Sequence, residues 1–357
     1  MSYEIESDAL DSEVLHVIER WHRGGERLDD ARFNDLALRL FSYQLRYNAP
    51  YARYCAAVRI TAPRSWEEIP AVPAAAFKEA AVTTFDPAKA ALLFETSGTT
   101  GGAVGRHYME TSALYDAALL AGFDRFVLTD GARLRYCNFV PNSDERRSSS
   151  LGYMMARVSE GRGDGQTRWY VRGGELLVDA FIADTRAAIA QERPLCIAAT
   201  AFALMHLLEA LEERKIGWKL PADSRVMETG GFKGRTRSID RETLYARACT
   251  VFGVTSDRII SEYGMTELSS QYYASGMRAY AGPPWIRTRV VGPQRITLPH
   301  GTLGSLLHVD LANRSSCIAI QTEDLGFQSD EGLVLIGRER EAAPRGCSLD
   351  AQDLALR

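Results

Sequence analysis

Lysine is scarce in this chain. Lys78, Lys89, Lys215, Lys219 and Lys233 are all there is, and arginine carries the rest of the positive charge. A phosphate site that uses an amine must draw on that short set. No two cysteines stand in a CxxC arrangement, no HExxH string occurs, and no histidine adjoins a cysteine pair. The usual zinc-site patterns are therefore missing. The six cysteines (Cys55, Cys137, Cys196, Cys249, Cys317 and Cys347) are dispersed, which reads as reduced thiols, most of them small core residues. No stretch approaches ~20 uncharged apolar residues, so no membrane-spanning helix is expected. The acidic opening, MSYEIESDALDSEV, lacks the apolar run of a secretory signal. A net charge of −4 provides no overall field for nucleic acid or an anionic bilayer. The expectation is a soluble cytoplasmic protein with neither nucleic-acid binding nor integral membrane association.

What is present is an alternating texture. Residues 10 to 60 read as helical, with Leu15, Ile18 and Trp21, then Phe33, Leu36, Leu40 and Phe41, at helix spacing. IPAVPAAAFKEA follows as an extended, proline-punctuated segment leading to a short helix with Lys78. From Ala91 apolar strands alternate with amphipathic helices: ALLFE, then METSALYDAALLAGFDRFVL, RYCNFV, PLCIAAT with its helix, SRVMET, RETLYARACTVFG and RIISEY. Such alternation implies a largely parallel sheet with helices on both faces, and ligands at the strands' carboxyl ends. After Ala281 short strands separated by Gly, Pro and Asn suggest a small β subdomain. The expected division is 1–90, a helical N-terminal part; 91–280, an α/β core; 281–338, the β subdomain; and 339–357, a tail with Cys347.

Three polar loops carry the chemistry. Thr96, Ser97, Gly98, Thr99, Thr100, Gly101 and Gly102 follow an apolar strand and are read as preceding a helix. Glycines let backbone N–H groups converge on a phosphate, and the hydroxyls add donors. Without the Lys-Ser/Thr ending this is not a Walker loop. In Tyr263-Gly264-Met265-Thr266-Glu267, Gly264 permits a tight turn, and the Glu267 carboxylate could hold Mg²⁺ bridging ATP phosphates. In the third, Asp324 at a strand end can accept both ribose hydroxyls, with Arg338 nearby. Taken singly, the loops also fit plain turns.

Together, TSGTTG, YGMTE, the later Asp324 and Gly337-Arg338 resemble the adenylate-forming superfamily of acyl-CoA synthetases, luciferases and peptide-synthetase adenylation domains. The resemblance implies the large N-terminal α/β domain of those enzymes and a need for ATP and Mg²⁺. By it, Ser97 to Gly102 embrace phosphates, Tyr263 stacks on adenine, Glu267 serves Mg²⁺, and Asp324 and Arg338 hold ribose. Gly230-Gly231 would be the glycine turn beside adenine. The strings IPAVPAAAFKE, TGGFKGR, EYGMTELSSQ, PPW, DLAN, IQTEDLG and RGCSL, from about residue 69 to 350, are similar to the LuxE-type acyl-protein synthetase family. That resemblance implies activation of a carboxylic, chiefly fatty, acid and an acyl-accepting protein partner, a reductase or carrier.

Two departures shape the expectation. Where the phosphate loop usually ends in Lys, this chain has Arg106, and the two are not equivalent donors. The family's C-terminal lid of roughly a hundred residues is not expected, so Lys233 is the internal candidate for its catalytic lysine. Arg345-Gly346-Cys347-Ser348 places a cysteine where the resemblance implies the acyl acceptor; Arg345 would favour its thiolate, the reactive form. An acyl pocket is expected near Ser149, Tyr153, Met154, Phe202 and Met205, though such spacings also suit plain core. The competing readings are an acid–CoA ligase of phenylacetate type and a nucleotide-binding, adenylate-fold subunit of a multienzyme complex.

Overall fold

The computed structural model describes residues 2–96, 103–142, 144–230 and 240–338, Arg338 by its backbone alone. Contacts divide the chain into two compact units. One comprises Met1–Gly122, Met265–Gln271 and Ala279–Arg357; the other comprises Phe123–Gly264 and Tyr272–Arg278.

The first unit begins with three helices whose ends follow from local chemistry. α1 (Tyr3–Gly24) stops at Gly25, which takes a left-handed φ of 69° and donates its N–H to the Trp21 carbonyl. α2 (Asp30–Tyr47) starts at Asp29, whose carboxylate accepts the Arg32 N–H at 2.8 Å. α3 (Ala49–Ala57) is capped by Asn48 and has Pro50 in its first turn. Leu10, Val14, Ile18 and Trp21 form one buried stripe, and Phe33, Leu36, Leu40 and Phe41 another. The chain continues through β1 (Val72–Pro73) and the single turn α4 (Ala76–Glu79). A hairpin of β2 (Leu92–Glu95) and β3 (Arg106–Met109) follows, and within α5 (Ala113–Phe126) the chain leaves this unit.

The hairpin corrects one expectation. The hydroxyl-rich loop does not join a strand to a helix: β2 and β3 pair antiparallel from Leu92↔Met109 to Glu95↔Arg106, and α5 comes only afterwards. β3 has four residues and no apolar run, which left it without a periodic signal.

The second unit contains β4 (Arg135–Phe139), α6 (Ser150–Arg162), β5 (Arg168–Trp169), the small hairpin β6 (Val171–Arg172) and β7 (Glu175–Leu176), and α7 (Val178–Ala190). Then come β8 (Leu195–Thr200), α8 (Ala201–Glu213), β9 (Arg225–Thr229), α9 (Arg241–Phe252), β10 (Ile259–Tyr263) and β11 (Tyr272–Ser275). Its six-stranded sheet runs β11-β10-β9-β8-β4-β5, all parallel except β11. β8, β9 and β10 are buried almost throughout, as expected of parallel strands covered on both faces. Leu204, Leu207, Leu208 and Leu211 of α8 and Leu244, Ala248 and Phe252 of α9 pack with Ile197, Val226 and Ile259 of the strands.

The remaining strands, β12 (Ile286–Val291), β13 (Gly304–Asp310), β14 (Ala319–Ser329) and β15 (Gly332–Arg338), return to the first unit. They pair antiparallel with one another, and β1 joins the sheet parallel to β14; β1 and β15 share one edge of β14, at Ile320–Gln321 and from Asp324 to Ser329 respectively. The mixed α/β class, mostly parallel sheet with a smaller β part, is as the sequence suggests.

α9 ends at Gly253, which has φ 64° and whose Cβ, were one present, would lie 2.5 Å from the Trp218 carbonyl oxygen. Gly253→Ala is expected to destabilise the protein by about 2 kcal/mol or more, from left-handed strain plus the clash. Urea denaturation checks this; an unchanged midpoint contradicts it.

Candidate functional site

In the second unit the register sets Thr200, Thr229 and Glu262 side by side, so β8, β9 and β10 finish level. After β4 the chain moves outward to β5, whereas after β8 it proceeds the other way to β9 and β10. Open α/β sheets bind ligands at the carboxyl ends beside such a reversal. Along this rim Thr229 Oγ1 donates to the buried Glu262 carboxylate. Glu228 accepts from Tyr245 Oη at 2.8 Å and from Ser261 Oγ, and burial pushes its carboxyl above the usual range. Gly230, one residue past β9, has φ 70°, and open space surrounds the position a Cβ would occupy. The half-buried Tyr263 ends β10 with its ring 5.9 Å from that of Tyr272.

The residues expected to line an acyl pocket follow β4 and β8, the strands flanking the reversal. Ser149 Oγ is engaged as the cap of α6, accepting the Gly152 N–H at 3.1 Å. Ser149, Tyr153 and Phe202 are half-buried, whereas Met154 and Met205 are buried, Met205 within the core around α8 and α9.

In the first unit the β2–β3 hairpin closes beneath the hydroxyl-rich loop. Thr96 N–H donates to Gly105 O, and Gly105 N–H to Thr96 Oγ1, both at 2.9 Å. One step further in, Arg106 Nε meets Glu95 at 3.2 Å, with half of the arginine side chain in solvent. An exposed pair of this kind contributes little to stability. His107 points the other way and is buried; its Nδ1 lies 2.8 Å from the Thr266 carbonyl oxygen.

Thr266 and Glu267 belong to Met265–Gln271, which bonds extensively with the segment following β13. Asn313 Nδ2 donates to Glu267 O at 2.8 Å, and Ser269 Oγ donates to Asn313 Oδ1 at 2.9 Å. Asp310 accepts the Ser269 N–H at 3.0 Å and the Ser270 hydroxyl at 2.8 Å; Trp285 Nε1 donates to that hydroxyl at 2.9 Å. The next residue, Arg314, is buried and forks onto Asp11 at 2.7 and 2.8 Å while reaching Glu110 at 2.6 Å. Gln44 of α2 donates to the carbonyls of Asn313 and Arg314, each at 3.0 Å. The Glu267 side chain is thus buried on a loop held by buried polar partners, Asn313 and Asp310 among them.

Asp324, half-buried on β14, stands opposite Arg338 of β15 in the ladder. Its N–H donates to Thr322 Oγ1 at 3.0 Å, and that hydroxyl donates to Leu306 O at 3.2 Å. Ser97, Gly98, Thr99, Thr100, Gly101, Gly102, Gly231, Lys233 and Cys347 lie outside the described residues, as does the Arg338 side chain. Of the other cysteines, Cys55, Cys137, Cys196 and Cys317 are buried and Cys249 is partly so. Burial raises all five thiols, those of Cys55, Cys137 and Cys196 to about 12.

Among the described residues no three His, Cys, Asp or Glu side chains gather as a metal cage. One buried carboxylate at Glu267 suits Mg²⁺, which takes one or two protein oxygens and leaves its other positions to phosphate and water. The residues present therefore fit that ion. No described helix is long and apolar enough to cross a membrane.

This architecture is that of the adenylate-forming ligases. The chain matches 2-hydroxyisobutyryl-CoA ligase, in complex with 2-HIB-AMP and CoA, at a TM-score of 0.66 and 15% identity, covering 88% of this chain and 69% of that one. It matches the McyG A-PCP complex with phenylalanyl-adenylate at 0.51 and 18%, over 72% of this chain and 48% of that one. For ATP-bound MatB from Rhodopseudomonas palustris the values are 0.51 and 13%, over 71% and 49%. This chain thus spans about half the length of the latter two. Within the class it belongs to the acyl-protein synthetase, LuxE, family, whose profile matches residues 169–354, just over half of the chain. No curated protein sequence matches it.

Sequence reasoning did not reach His107, Asp310 or Asn313. DLAN stood out only as a family string, and RHYM carried no signal beyond a histidine flanked by strand-forming residues.

Burial pushes His107 and His308 down to about 4, outweighing the Thr266 carbonyl in one case and the Asp324 charge in the other. Both are neutral in the fold and regain a pKa near 6.5 on unfolding, so the stability they contribute is complete above pH 6.5. It is lost as pH falls toward 4, by on the order of 3 kcal/mol per histidine. Burial also raises Asp310, to about 6, which acts in the opposite sense as one group against two. Melting temperature should fall between pH 6.5 and 4.5, and less steeply in His107→Asn; equal slopes in the two proteins contradict this.

Proposed function

We propose that this chain converts a carboxylic acid, chiefly a fatty acid, to its acyl-adenylate. It then takes the acyl group onto Cys347 as a thioester for delivery to a protein such as a reductase or carrier. The observation that carries this reading is the match to one family, acyl-protein synthetases, over a stretch that contains Gly230, Tyr263, Glu267, Asp324, Arg338 and Cys347. The rim of a parallel sheet at a strand-order reversal supports it, as does a buried carboxylate on a braced loop.

In the first half-reaction a substrate carboxylate oxygen bonds to the α-phosphorus of ATP, and the bond to pyrophosphate breaks with its electron pair leaving on pyrophosphate. Mg²⁺, when bound, supplies positive charge to the phosphate oxygens. Glu267 is the residue to hold it, and the backbone N–H groups of Ser97 to Gly102 serve the phosphates. Arg106, already at the hairpin neck and half in solvent, and Lys233 are the cationic side chains for the leaving charge. The Tyr263 ring is the surface for adenine, at a turn where Gly230 keeps Cβ atoms out of the way. Asp324 accepts from the ribose hydroxyls, with Arg338 across the ladder.

In the second half-reaction the Cys347 thiolate attacks the acyl carbonyl; a C–S bond forms, the C–O bond to phosphate breaks, and AMP leaves. The five described cysteines are poor rivals, because burial holds their thiols protonated at neutral pH.

The test is intact-mass spectrometry after incubation with ATP, Mg²⁺ and a panel of acids: acetate, octanoate, myristate, benzoate and phenylacetate. The expected result is a gain of one acyl group that hydroxylamine removes and that Cys347→Ser abolishes. Acyl product formed only when CoA is added would instead make the protein a CoA ligase. An absence of AMP with every acid would leave a nucleotide-binding subunit.

A further inference from the structure

Thr266 and Glu267 present two successive backbone carbonyls, and each is taken by a buried side chain from a different part of the first unit. His107 Nδ1 meets the first and Asn313 Nδ2 the second, both at 2.8 Å. A carbonyl can only accept, so the histidine proton resides on Nδ1. Nε2 has no hydrogen-bond partner among the described residues. The bond to Thr266 and an edge contact with Phe77, at 5.9 Å between ring centres, orient the imidazole, which also interacts with the Asn313 side chain.

Asn313 is itself held at both ends of its amide. Nδ2 also donates to Cys317 O at 2.8 Å, and Oδ1 accepts the Ser269 hydroxyl at 2.9 Å. With the carbonyls of residues 266 and 267 both bonded, neither of the two peptides flanking the Glu267 Cα can flip without leaving a buried donor, His107 for the first and Asn313 for the second, unsatisfied. That sets the Cα–Cβ direction from which the Glu267 carboxylate projects.

We infer that His107 and Asn313 are positioning residues for the metal-binding carboxylate of Glu267. They touch neither substrate nor metal; they hold the peptide from which that carboxylate projects, so that its orientation is set before Mg²⁺ and nucleotide arrive. This rests on the assignment of Mg²⁺ to Glu267 proposed above. Asp310 braces Ser269 and Ser270, further along the loop, and is not part of the assignment.

The experiment uses the full-length protein and two readouts that need no turnover. Binding of the non-hydrolysable analogue α,β-methylene-ATP is measured calorimetrically with Mg²⁺ and with EDTA. His107→Leu and Asn313→Asp should each reduce the Mg²⁺-dependent gain in affinity about tenfold, leaving the EDTA affinity within twofold. His107→Asn, whose Nδ2 replaces Nδ1, should restore most of it. In nucleotide-free protein, amide exchange in the peptide spanning residues 262–271 should rise about tenfold in both disrupting variants, with no comparable rise elsewhere. Folded variants that lose affinity equally in Mg²⁺ and EDTA, or that exchange faster throughout, would reduce both residues to general structural roles and overturn the inference. Should His107→Leu fail to fold, Asn313→Asp together with His107→Asn decides. Glu267→Gln is the control for the underlying reading. If it keeps the Mg²⁺-dependent gain, the metal assignment fails; the exchange data then still report separately on the peptide clamp.

Discussion

The first unit's candidate chemistry depends on how one short loop is held. Met265–Gln271 has no helix or strand of its own, though a turn bond runs within it from Leu268 N–H to Met265 O at 3.1 Å. It is fixed from outside, by Asn313 on Glu267 O, by His107 on Thr266 O, and by Asp310 on Ser269 and Ser270. These partners are buried, so breaking any one bond leaves a polar group that water cannot reach, at a cost of about 1–3 kcal/mol. The donors are rigid in turn, because Arg314 beside Asn313 is forked onto Asp11 and bonded to Glu110, and Gln44 ties the same turn to α2. A buried cation with two carboxylate partners is costly to dismantle. The helices at the start of the chain thereby stiffen a loop more than two hundred residues further on.

The second unit solves a different problem. Its strands need no side-chain clamps, since ladder hydrogen bonds already align Thr200, Thr229 and Glu262 in a row. What it adds at the rim is polar groups in a setting otherwise built from Val226, Ile259 and the leucines of α8. Two buried carboxylates, Glu228 and Glu262, are tolerated there because hydroxyls donate to both. Glycine supplies the backbone freedom that follows: Gly230 turns in the left-handed region immediately past β9.

Much of this was legible in the sequence, for identifiable reasons. Short strand-forming segments bounded by Gly, Thr or Pro gave β4, β8, β9 and β10, although only β8 is apolar nearly throughout and β9 and β10 bury Glu228 and Glu262. Asp324, expected at a strand end, instead lies midway along β14, where the ladder sets it opposite Arg338 of β15, a pairing the sequence did not foretell. β3 was not legible: its four residues pair only with β2, outside the larger sheets, and Arg106 and His107 break any apolar pattern. Nor were the clamps, since Asn313 and His107 lie 46 and 159 positions from the carbonyls they hold. Periodicity reports which face of an element is buried and says nothing about which distant polar group a buried amide meets. Helical spacing alone likewise does not separate a residue lining a cavity from one filling the core, the two roles that stay open for the buried Met154 and Met205.

A carboxylate oriented by its backbone should matter before any thiol is acylated. Isotope exchange between labelled pyrophosphate and ATP, in the presence of an accepted acid, reads that first half-reaction in isolation. Acid-dependent exchange that falls a hundredfold or more in Glu267→Gln is the predicted result, the scale expected for losing a key charge-stabilising group. Exchange at the unmodified protein's rate in that variant would contradict the account.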